Sequence, residues 1–183
     1  MGFLDESGFC STPFVARTWA LLGRTPVVVH PFNWDHVSAI SVITTTGKLF
    51  FRLHPNKSIT GDKIVTFLRH FLRQVRGNII LYWDGIPPHR SKKVKDFLAQ
   101  HPRLQIRRLP PYCPDLNPDE GVWDYVKTRE LPNLTVNDIS ELARNVRGAL
   151  RKVQRRSKLV KSFLFESELP WEPDSNQVIA QSS

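Results

Sequence analysis

The run Ile79-Ile80-Leu81-Tyr82-Trp83 constrains this chain more than any other stretch. Five consecutive apolar or aromatic residues leave no polar face, so the run reads as a buried strand. It ends on one carboxylate, Asp84, before a turn through Gly85, Ile86, Pro87 and Pro88 and a basic helix from about Ser91 to Gln100. An acid set at the end of a buried strand, with no base beside it in sequence, asks for a cation.

Composition bounds the answer. With 183 residues, 40% of them hydrophobic, the chain can bury one sizeable core and is short for two domains. Lys and Arg number 26 against 17 Asp and Glu, a net +9 that favours a polyanionic partner, either nucleic acid or an anionic membrane surface. No apolar run approaches the roughly 20 residues that span a bilayer. The start, MGFLDESGF, has neither the basic n-region nor the long apolar region of a signal peptide, which predicts a cytoplasmic location. Cys10 and Cys113 stand far apart with no CxxC spacing. They give neither a zinc motif nor a disulfide framework and read as plain small residues.

Patterning then sets out the elements. A first strand ends at Phe3-Leu4-Asp5, and the runs Thr18–Leu21 and Val27–Val29 around Gly23-Arg24-Thr25-Pro26 predict a hairpin. Val37–Thr44 and Lys48–Leu53 predict a second pair around Thr45-Thr46-Gly47. Thr60-Gly61-Asp62 opens a helix whose apolar positions Ile64, Leu68, Phe71, Leu72 and Val75 recur at helical spacing until Gly77. After the Asp84 strand and the basic helix come a short strand, Leu104–Leu109, a proline-stiffened loop over 110–118, and a helix carrying Glu120, Trp123 and Val126. A last helix is expected from Thr135, with Asp138 as a capping-box residue and Ile139, Leu142, Val146, Ala149 and Val153 as its apolar face. Its other face is basic: Arg144 to Lys161 holds eight Lys or Arg and no acid. Residues 170–183 read as an acidic, disordered tail.

Three separated segments, LDESGF (Leu4–Phe9), YWDGIPPHRS (Tyr82–Ser91) and LPPYCPDLNPDEGVWDYVK (Leu109–Lys127), carry a resemblance in the right order. The chain resembles the catalytic domain of DDE transposases of the Tc/mariner superfamily, in the bacterial insertion-sequence branch called the IS-six-thirty type. The resemblance covers Leu4 to about Leu169 and implies an α/β ribonuclease H-like fold, a mixed central sheet flanked by helices, with residues 1–169 as the catalytic domain. It also implies that Asp5, Asp84 and Glu120 are the catalytic acids and the metal ligands. The 35 residues between Asp84 and Glu120 match the family's mid-thirties spacing.

Phosphodiester transfer explains why acids are needed. Two divalent ions about 3.5–4 Å apart activate the attacking oxygen and stabilise the leaving one, and hard oxygen ligands suit Mg²⁺ or Mn²⁺. The residues alone leave blander readings open. Asp84 before Gly85 also reads as a turn acid, and Asn117-Pro118-Asp119-Glu120 reads as an N-cap with Glu120 closing a capping box. Of Asp5 and Glu6, adjacent on a strand, one faces the site. The family match selects Asp5.

The basic helix follows the Asp84 strand directly, so His89, Arg90, Lys92, Lys93 and Lys95 are candidates for DNA-backbone contact. His89 and Arg90 also read as braces for the helix start. Arg144 to Lys161 is a second candidate surface. The resemblance further implies transposon ends and target DNA as partners, and a homodimer assembled on that DNA. Full-length relatives carry an N-terminal helix-turn-helix segment for end recognition, and this chain begins at the first catalytic strand. A helix-turn-helix protein from an upstream reading frame, a truncated remnant that binds DNA without cutting it, and an isolated catalytic domain are the three readings of that departure.

Overall fold

In the computed structural model, residues 1–29, 35–111 and 113–169 are described, and the expected acidic tail lies outside them. Five strands, β1 (Gly2–Cys10), β2 (His36–Thr44), β3 (Leu49–Pro55), β4 (Ile79–Trp83) and β5 (Leu104–Arg108), form one mixed sheet in the order β3-β2-β1-β4-β5. The meander β1-β2-β3 is antiparallel, whereas β4 and β5 run parallel to β1. Strands β1, β3 and β4 therefore all end at the same edge of the sheet.

Both faces are covered. Because side chains alternate along a strand, Phe3 points to one face and Leu4 to the other. Leu4, Ile40, Val42, Leu81 and Trp83 pack beneath α1 (Gly61–Gln74) and α2 (Lys92–Ala99). Phe3, Ala39 and Ile43 pack beneath α3 (Pro118–Tyr125), α4 (Ile139–Gln154) and α5 (Ser157–Glu166). Each fully buried aliphatic side chain contributes about 1.5–3 kcal/mol of burial free energy, which holds the central strands β1 and β4 in place. Between β2 and β3 the tight turn needs Gly47 at φ +79°, where a Cβ would collide with the Ser157 side chain and carbonyl and with the Lys161 side chain.

Four sequence expectations need correction. Strand β1 does not end at Asp5: it continues to Cys10 because β2 pairs with it throughout, and Phe9 reaches the core edge-on to Trp123 at 6.0 Å. The hairpin at Thr18–Val29 is not a strand pair. Its turn forms, with Arg24 N–H donating to Leu21 O at 2.9 Å, but Trp19, Leu21, Val27 and Val29 stay exposed with no sheet face to pack on. A lone two-stranded hairpin is marginal under those conditions.

The last helix begins at Ile139, not Thr135. Asp138 is its N-cap, accepting from Glu141 N–H at 2.8 Å, while the Glu141 carboxylate accepts from Asn137 N–H at 2.8 Å. Asp138→Ala should therefore lose about 1 kcal/mol in urea unfolding, and Thr135→Ala should change stability by less than about 0.5 kcal/mol. Finally, the long basic stretch spans two helices. The chain leaves helical geometry at Arg156 (φ −105°, ψ 73°), which lets α5 turn back and seat Phe163 against Gly121 of α3.

Candidate active site

A cleft of about 560 Å³ opens at the edge where β4 ends, lined by Asp5, Asp84 and Glu120 together with Arg90, Arg108 and the proline-rich loop. Three elements supply the acids. The parallel register Gly2 to Leu81 and Phe3 to Tyr82 sets Asp5 level with the residue that follows β4, which is Asp84. Glu120 arrives on the first turn of α3, whose N-cap Asn117 accepts from Asp119 N–H at 3.3 Å.

Asp5 and Glu6 obey the strand alternation and land on opposite sides. Asp5 turns toward α3, where its Oδ2 accepts from Trp123 Nε1–H at 3.0 Å. Burial, followed by repulsion from Glu120 and Glu6, pushes its pKa up to about 8. Glu6 turns toward α2 and meets His89, with Oε1 2.8 Å from Nε2. The other His89 nitrogen, Nδ1, lies 3.0 Å from Asp84 Oδ1.

Asp84 is therefore not the unpaired acid that its sequence context predicts. Burial opposes charge on both partners, yet the hydrogen bonds prevail: His89 rises to about 10, held by Asp84 and Glu6, and Asp84 falls below the usual carboxylate range. Glu6, Asp84 and His89 bring ligand-type atoms within 4.8 Å of one another, a spacing that suits a metal. Both ring nitrogens of His89 are engaged by the two carboxylates, Nε2 by Glu6 and Nδ1 by Asp84. His89 is removed from the DNA-contact set. It is 4% exposed, stacked on Trp83 at 4.4 Å, and has no free donor for a phosphate.

Glu120 and Asp119 part ways as consecutive helix residues must. Glu120 faces the cleft. A capping box would need its carboxylate on Asn117 N–H, but that N–H donates to Pro114 O at 2.8 Å. Burial raises the pKa of Glu120; Lys127 opposes the rise and Asp84 adds to it. Asp119 is fully buried behind the cleft and shares the Ser41 Oγ–H between its two oxygens at 2.8 and 2.7 Å. Its pKa stands well above the ordinary value, through burial first and the charge of Asp5 second.

The remaining candidates for DNA contact are on the surface. Arg90 lines the cleft and sits over Gly85, and Lys92, Lys93 and Lys95 are exposed on α2, with Lys93 Nζ 2.7 Å from both oxygens of Asp62. Sequence reasoning missed Lys127. It stands on a five-residue π-helical turn, Val126–Glu130, donates to Ser7 Oγ at 2.8 Å and lies 5.5 Å from the Phe9 ring centre. A Lys seven residues after Glu120, two helical turns on, was the available signal. The Ser41 contact to Asp119 had none, since 78 residues separate the two.

The sequence profile described as DDE superfamily endonuclease matches residues 1–143. The fold and the acid-lined cleft together define a nuclease-type catalytic domain of ribonuclease H-like architecture, and the chain belongs to the DDE superfamily endonucleases. Among solved structures, it is similar to Mos1 transposase in a paired-end complex with the left transposon end, at 13% identity and a TM-score of 0.60, over 91% of this chain and 55% of that one. The mariner Mos1 paired-end complex with Mg gives 14% identity and a TM-score of 0.61, over 93% and 56%. The catalytic domain of Mos1 mariner transposase gives 12% and 0.56, over 93% and 83%. The chain thus spans about half the length of the full Mos1 chains it resembles. No curated protein sequence matches it. No helix among the described residues is long and apolar enough to cross a membrane.

Proposed function

We propose that residues 1–169 form the cutting and strand-joining unit of a transposase, with Asp5, Asp84 and Glu120 as its catalytic carboxylates. The observation that carries this reading is their convergence: acids 115 positions apart in the chain, on β1, after β4 and on α3, line one cleft. The donor set is all hard oxygen, and Asp5 and Glu120 are both raised by burial and by neighbouring acids, so a divalent ion fits there better than water does. These three residues would hold two ions, Mg²⁺ or Mn²⁺. Bound ions supply Lewis-acid activation of the attacking oxygen and charge relief for the leaving one.

The chain's own residues do the rest. Trp123 fixes one oxygen of Asp5 and leaves the other to the cleft, and His89, locked between Glu6 and Asp84, orients the Asp84 carboxylate. Arg90, Lys92, Lys93 and Lys95 neutralise backbone phosphates of the duplex that enters. Mos1 structures with transposon DNA and with Mg or Mn support DNA and a divalent ion as the partners here. Assembly on that DNA is as a homodimer.

The test is a supercoiled-plasmid nicking assay. The parent should nick with Mn²⁺ or Mg²⁺ and stop in EDTA, and Asp84→Asn should lose at least about 100-fold in rate while still unfolding in one cooperative thermal transition. Cutting that continues in EDTA would remove the metal from the mechanism. DNA binding without any cutting by the parent would favour the reading of an inactive remnant.

A further inference from the structure

Strand β3 ends at the same sheet edge as β4, and the loop that follows it returns to the start of α2. Gly61, the first residue of α1, packs against Ser91 so closely that a Cβ there would come within 3.0 Å of the Ser91 Cβ. Ser91 follows Arg90, which lines the cleft. The β3–α1 segment is thereby continuous with the catalytic edge, on the same face of the sheet as the lysines of α2.

That segment is crowded with positive charge. Arg52 and Lys57 are exposed and Lys63 is half-buried, its ammonium donating to Ser58 O. The nearby acids are engaged elsewhere: Asp62 holds Lys93, and Asp35 accepts from the Asn56 amide at 2.9 Å. Among the described residues, Arg52, Lys57 and Lys63 make no ion pair within 4.0 Å of a carboxylate. The crowding shows in the titrating groups. His54 is driven down to about 4, by burial first and then by Lys63, Arg52 and Lys57, and Lys63 itself is lowered by burial and by Lys57. Cations that repel one another without a counter-charge are stabilised by a polyanion laid across them.

We infer that Lys57 and Lys63, with Arg52 behind them, form a second phosphate-contact surface that holds the flank of a DNA duplex after it leaves the cleft across α2. This rests on the DNA reading above and extends it to residues outside the site. From β4 to β3 is three strand spacings, roughly 14 Å, so one duplex can lie on both surfaces.

The experiment is binding of the full chain to a duplex of about 30 base pairs, three helical turns, over a range of salt. Each lost phosphate contact lowers the slope of log K against log salt by about 0.9, so Lys57→Gln with Lys63→Gln should flatten it by about 1.8. Nicking of plasmid at saturating concentration should stay at the parent rate. An unchanged slope would overturn the inference, as would a loss of saturated nicking equal to the loss of binding, which would place these lysines in the reaction itself. A parent that binds steeply with salt but never nicks would overturn the nuclease reading alone, and the slope comparison would still decide this one.

Discussion

Glu120→Gln should abolish Mn²⁺-dependent nicking while changing stability by less than about 1 kcal/mol, whereas Asp119→Asn should cut close to the parent rate. The asymmetry follows from where the two neighbours point. Glu120 faces the cleft and makes no capping-box bond, so the amide removes a charge and little else. Asp119 is buried against Ser41 with its pKa raised, so its charge is already disfavoured, and an amide oxygen accepts from the Ser41 hydroxyl just as well. Thermal melting beside the plasmid assay separates the two. If Asp119→Asn were dead and Glu120→Gln active, the third carboxylate would be misassigned.

Asp5→Asn should do two opposite things: end cleavage and stabilise the metal-free protein. Asp5 carries a pKa of about 8 in the fold against 3.8 as a free carboxylate. Between those values the native state holds more protons than the unfolded chain, so stability falls as pH rises from about 4 to about 8. At neutral pH, protonating Asp5 on folding costs on the order of 2–4 kcal/mol, and asparagine avoids that cost while its oxygen still accepts from Trp123. His89 acts in the same direction at higher pH. Its stabilisation is complete below 6.5 and is lost as pH rises through about 10. Melting curves of the parent across pH should therefore slope downward, Mn²⁺ should lift them most above pH 8, and Asp5→Asn should remove the metal response and Asp5's share of the acid half of the slope, leaving that of Asp119 and Glu120. A flat parent profile would show that Asp5 is not held in this state.

The residues that were legible from sequence share a local signature. The β2–β3 pair, α1 with its Thr60 cap, and the strand before Asp84 each follow from periodicity and a turn residue close at hand. The acids of the cleft were legible only through the family motifs, because no spacing shows that Asp5 and Asp84 meet across a parallel strand pair. What stayed hidden is nonlocal chemistry. The sequence offered His89 as a brace for the start of the basic helix or a phosphate contact, yet its partner Glu6 lies 83 residues away, and burial between two carboxylates decides its role. The missing hairpin has the converse cause: Val27-Val28-Val29 has strand propensity, and the fold provides nothing for it to pack against.

The strand order also governs when the three acids of the cleft come together. Strand β1 is made first and sits in the middle of the sheet, with β2 and β3 on one side from the next 45 residues and β4 and β5 on the other much later. A chain leaving the ribosome can close its antiparallel half early, because those contacts are local in sequence, while the parallel half must wait for β4. Glu120 comes later still, on a helix whose packing needs α5 from the end of the described chain. A product that stops before Glu120 holds at most two of the acids, and one that stops before α5 holds all three without the Phe163 contact that backs α3, so the cleft is the last part of this domain to be completed.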